Sequence, residues 1–119
     1  MGTEKPRIHA GKQHVAFDVD GCLIDDEDRT RWPVLDILRA FLALRWVVVV
    51  WSGGGVDYAR HWVDRLGLRD MPMVYVAEKG SVRVDVTFDD ERVELGVANV
   101  CLPCPVGEWN REPEERSSR

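Results

Sequence analysis

The stretch Val47-Val48-Val49-Val50-Trp51-Ser52-Gly53-Gly54-Gly55 decides the fold. Four consecutive β-branched residues and a tryptophan show no polar alternation, so both faces of the strand they predict must be buried, as in the centre of a parallel sheet. The serine and glycines that follow form a turn. Behind them Val56, Ala59, Val63 and Leu66 set an apolar stripe at helical spacing, and Gly67 closes that helix. Toward the N-terminus, Pro33 suits the first turn of a helix, and Leu35, Leu38, Phe41 and Leu42 extend it over 33–44. His14 to Val19 predicts a further buried strand, joined to that helix by an acidic loop, Asp20 to Arg31. Toward the C-terminus, Met73 to Ala77 predicts a third strand. Val82, Val84, Val86 and Phe88 alternate with Arg83, Asp85 and Thr87 as a fourth strand with one apolar and one polar face, and Val97 to Leu102 is a fifth. Strand, helix, strand, helix, strand in this order predicts an α/β fold with a mainly parallel five-stranded sheet.

A chain of 119 residues suits one domain. We assign 1–13 to a loose N-terminal arm, 14–104 to the core and 105–119 to a charged tail expected to be disordered. The longest apolar stretch, Trp46 to Trp51, is too short to cross a membrane, and the N-terminus lacks an apolar run, so a cytoplasmic protein with no membrane partner is expected. The net charge of −5 disfavours charge-driven binding of nucleic acid. Three cysteines do not make a disulfide framework, and Cys101-x-x-Cys104 lacks two further nearby ligands for a structural zinc.

In parallel sheets the chemistry gathers at the carboxyl ends of the strands. Here those ends carry Asp18 and Asp20, then Ser52 and Gly53, then Lys79, then Asp89 and Asp90. Asp18 and Asp20, spaced i and i+2, would share a face of an extended strand, so that one can attack while the other moves protons. Ser52 and Gly53 open a turn at a helix start, where free N–H groups favour an anion. Lys79, the one lysine outside the arm, adds positive charge, and Asp89 and Asp90 offer hard oxygen ligands suited to Mg²⁺. Together these residue types compose a phosphoryl-transfer site.

Phe17-Asp18-Val19-Asp20-Gly21-Cys22-Leu23 resembles the first motif of the haloacid dehalogenase superfamily of phosphohydrolases. Val48-Val49-Val50-Trp51-Ser52-Gly53 is similar to its second motif, Lys79 to its third, and Asp85-Val86-Thr87-Phe88-Asp89-Asp90 to its fourth. The resemblance spans about residues 14–102. It implies a Rossmann-like three-layer sandwich. It also implies an aspartyl-phosphate on Asp18, proton transfer by Asp20, phosphoryl binding by Ser52, Gly53 and Lys79, and Mg²⁺ held by Asp18, the Asp20 carbonyl, Asp89 and Asp90. The intervals between motifs are too short for the cap domains of the superfamily, which implies an open site. The substrate is then a phosphomonoester, on a small molecule or exposed on a macromolecule.

A narrower similarity, carried by Ser52-Gly53, Trp62 and Phe88-Asp89-Asp90-Glu91-Arg92, is to phage-type polynucleotide 3′-phosphatase domains and to small magnesium-dependent phosphatases. Gly54 stands where the polynucleotide enzymes commonly carry arginine. The rival from another class is a degenerate domain that uses its acidic pocket only to bind a metal or partner. A receiver domain would place an acidic pair after the first strand and its phosphorylated Asp after a middle one, which this order does not match. Finally, Arg83, Asp85 and Thr87 lack a helix to cover them, so cover is expected from the tail through Trp109 or from a second subunit in a homodimer.

Overall fold

The structure, a computed structural model, describes residues 5–104. Its elements are β1 (His14–Asp18), α1 (Trp32–Ala43), β2 (Val47–Trp51), α2 (Val56–Arg65), β3 (Val74–Val76), β4 (Val84–Asp89) and β5 (Gly96–Cys101). They form an α/β fold with one five-stranded sheet in the order β3-β2-β1-β4-β5, every neighbouring pair parallel. β2 coincides with the valine run, and it and β1 are buried along their whole length. α1 begins one residue before Pro33, with no side chain capping it, and the chain leaves α2 through Gly67. Among the described residues no helix is long and apolar enough to cross a membrane.

The topology explains which face each helix covers. Steps from β1 to β2 to β3 run in one direction, and two right-handed crossovers then put both helices on the same face. Val48 and Val50 of β2 accordingly share a core with Leu35 and Leu38 of α1 and with Ala59, Trp62 and Val63 of α2, around Phe17 stacked 4.8 Å from Phe88. Val47, Val49 and Trp51 point the other way, into a second core. That face receives no helix among the described residues, contrary to the three-layer expectation. The links 77–83 and 90–95 are too short to hold a helix and still cross the sheet. They run as turns and irregular chain, contributing Ala77, Val82 and Leu95 to the second core.

Two further expectations need correction. Val82 and Val84 pack in the second core whereas Val86 and Phe88 pack with the first, so the alternation of β4 does not run through Asp85. The arm is also not loose over its described part. Ile8 packs in the second core, His9 Nε2 and the Tyr75 hydroxyl lie 2.7 Å apart, and both Arg7 terminal nitrogens donate to the Asp85 carboxylate at 2.7 and 2.8 Å. The cover sought for Asp85 therefore comes from residues 7–14, and Thr87 is buried with its hydroxyl on Asn99. The tail and Trp109 lie outside the described residues.

Candidate functional site

The buried strand β1 delivers Asp18 to the sheet edge already stripped of most of its water; the residue is 5% exposed. β4, alongside, delivers Asp89 at 1% exposed. Above them the link after β3 passes over the strand ends and brings Lys79 in. Its ammonium donates to Asp18 Oδ1 at 3.2 Å and lies 2.8 Å from Asp89 Oδ2. The second contact is a buried ion pair, while Asp89 Oδ1 accepts the Glu91 N–H at 3.0 Å. Asp90 completes the group. Asp18, Asp89 and Asp90 each present an oxygen, and the three oxygens lie within 4.8 Å of one another.

Three carboxylates facing one ammonium leave an excess of negative charge in a poorly hydrated place. Burial, and then Asp89, push the Asp18 carboxyl up to about 7 against the opposing pull of Lys79. Burial and Asp89 likewise raise Asp90. For Lys79 burial acts downward, but the Asp89 and Asp18 carboxylates outweigh it and hold the ammonium above its ordinary value. Hard oxygens so grouped suit a small divalent cation.

Gly21 makes this approach possible. The chain turns after β1, with the Val19 carbonyl accepting the N–H groups of Cys22, Leu23 and Ile24. Gly21 takes φ +76° in that turn, and a β-carbon there would overlap the Asp90 carboxylate. The same turn separates Asp20 from Asp18. β1 ends at Asp18, so strand alternation does not extend to Asp20, whose carboxylate stands exposed, outside the three-carboxylate group. It accepts a hydrogen bond from the Tyr58 hydroxyl at 2.6 Å.

Register places Asp18 opposite Trp51, so Ser52 leaves β2 beside the end of β1. Ser52 is buried and does not cap α2, whose N-cap is Gly55. Its hydroxyl oxygen accepts the Gly54 N–H at 3.0 Å. Gly53 sits exposed at the tip of that turn. Beside Asp20 a pocket of about 340 Å³ opens, lined by Asp25, Asp26, Asp28, Asp90 and Cys104 as well. Asp25 is spent within its own loop, on the N–H groups of Glu27 and Arg29 and the Arg29 guanidinium. Cys101 is exposed, with its thiol 3.5 Å from the Asp90 carbonyl, and neither it nor Cys104 joins the carboxylate group.

Tyr58 is the residue the sequence reading passed over. A signal was there: it is an aromatic off the apolar stripe, three residues after the glycine turn. Comparison of the chain with protein-family models, with curated proteins and with solved structures finds no match.

Proposed function

We propose that this chain is a divalent-cation-dependent phosphomonoester hydrolase of the haloacid dehalogenase type, without a cap domain, that works through an aspartyl-phosphate. The observation carrying the reading is the meeting of Asp18 and Asp89, from the ends of β1 and β4, with Lys79, from the link after β3, whose ammonium lies within 3.2 Å of both acids. The Asp18 carboxylate attacks phosphorus, forming an O–P bond as the bond to the leaving oxygen breaks. Asp20, as its acid, gives that oxygen a proton, so an alcohol departs. Asp20, now a carboxylate, takes a proton from the water that attacks phosphorus. The Asp18–phosphorus bond breaks, and inorganic phosphate leaves. Ser52, the Gly53 turn and Lys79 hold the phosphoryl oxygens.

The residues present fit Mg²⁺. The donors are all hard oxygens, one from each of Asp18, Asp89 and Asp90, gathered within 4.8 Å of one another. Asp18, Asp89, Asp90 and the Asp20 carbonyl would hold the ion, which when bound neutralises charge on the phosphoryl group.

The test is a screen with and without Mg²⁺ of p-nitrophenyl phosphate, phosphorylated metabolites, phosphopeptides and 3′-phosphorylated oligonucleotides. Hydrolysis that a chelator abolishes is expected, with oligonucleotides the poorest substrates because the mouth is acidic. Chelator-resistant turnover would contradict the metal role. Metal binding with no turnover of any substrate would convert the reading to a binding module.

A further inference from the structure

Asp20 must carry a proton in both directions, yet it stands on an exposed turn where a carboxylate is free to change rotamer. Among the described residues one side chain restrains it: the Tyr58 hydroxyl, donating to Oδ1 at 2.6 Å. The Tyr58 ring is itself braced. A β-carbon on Gly54 would stand 3.2 Å from Tyr58 Cδ2, 3.3 Å from Cγ and 3.4 Å from the Ser52 hydroxyl oxygen. Gly54 thus leaves the space through which the ring lies against the Ser52 turn, and the ring ties that turn to the one carrying Asp20.

We propose that Tyr58 is a positioning residue for Asp20. The inference rests on the phosphatase reading above. With Oδ1 taken by the phenol, Oδ2 is the oxygen left to exchange the proton. It gives that proton to the leaving oxygen in the first step and recovers one from water in the second. The phenol keeps its own proton throughout. Gly54, which has no β-carbon to press on the ring, is then the residue that admits this brace.

The experiment compares wild type, Tyr58→Phe, Asp20→Asn and the double variant, each with Mg²⁺, on p-nitrophenyl phosphate and on a primary alkyl phosphate whose leaving oxygen must be protonated. Tyr58→Phe should lower kcat on the alkyl phosphate about tenfold, leave KM within about twofold, and leave p-nitrophenyl phosphate nearly untouched. In the Asp20→Asn background it should cause no further loss, which a merely structural role would not produce. Gly54→Ala, which presses on the ring while keeping the phenol, should show the same dependence on leaving group. Equal losses on both substrates, no loss, or an additive loss in the double variant would overturn the positioning role while leaving the phosphatase reading intact. A wild-type chain that turns over neither substrate would overturn both.

Discussion

Replacing Asp85 by asparagine perturbs the latch that holds residues 7–14 across the second face of the sheet. The Asp85 carboxylate accepts both Arg7 terminal nitrogens and, at 2.8 Å, the backbone N–H of His14. Chiefly through the Arg7 hydrogen bonds, its pKa is pushed down to about 2 from an ordinary 3.8. At about 1.36 kcal/mol per pH unit that difference corresponds to about 2.4 kcal/mol. The side chain is 24% exposed, and solvent screening brings the expected contribution to about 1–2 kcal/mol. The folded pKa is depressed, so this stability is fully present above about pH 4 and is lost as pH falls toward 2.

His14 acts in a higher window. It is fully buried, its Nε2 accepts the His9 N–H, and its Nδ1 lies 3.0 Å from the Lys12 carbonyl and 3.2 Å from an Arg7 terminal nitrogen. Burial lowers its pKa, with Arg7 and His9 acting the same way against Asp85 and the Lys12 carbonyl. Acidification from about pH 6.5 therefore erodes stability in the wild type, and more in the variant, where the Asp85 charge no longer favours the protonated ring. Urea unfolding followed by tryptophan fluorescence, at steps from pH 7 to pH 2.5, separates the two. The gap between wild type and Asp85→Asn should be about 1–2 kcal/mol at neutral pH and close below about pH 4. A gap that stays constant across the range would refute the reasoning.

Gly21→Ala forces a β-carbon into the Asp90 carboxylate at a positive φ; it should cost about 1–3 kcal/mol in urea melts and raise the Mg²⁺ concentration needed for half-maximal activity. Asp20→Asn should lower turnover by a factor of about 10²–10⁴ on poor leaving groups and least on p-nitrophenyl phosphate; equal losses on both would remove its acid role. A thiol reagent added to the native protein should label exposed Cys101 readily and buried Cys22 only after denaturant is added, which peptide mass mapping would read.

Much of the fold was legible because both faces of β2 are apolar, which leaves one reading for the valine run. The motif ends followed from that, since a parallel sheet sends its carboxyl ends to one side. The slip in β4 was not legible. It accompanies an ion pair between Arg7 and Asp85, 78 positions apart, and periodicity reports only on near neighbours. The same pair explains why polar composition does not mark the arm as ordered: composition shows how little apolar surface a segment has, not whether its charges find partners. That no helix among the described residues covers the second face was half visible, because the interval from Glu78 to Ser81 is too short for a helix. At the site, the separation of Asp20 from Asp18 depends on where β1 ends, and the Asp-Val-Asp spacing could not mark that. Tyr58 could have been noticed from its place off the stripe, but its partner is on another turn, 38 residues away.

The central claim is that Asp18 is the nucleophile. It is tested most directly by turnover of p-nitrophenyl phosphate with Mg²⁺ by the wild type and by Asp18→Asn, with mass spectrometry of acid-quenched protein during turnover. The account predicts hydrolysis by the wild type, with a phosphoryl adduct on the peptide carrying Asp18, and neither hydrolysis nor adduct in the variant. Activity surviving in Asp18→Asn would contradict it.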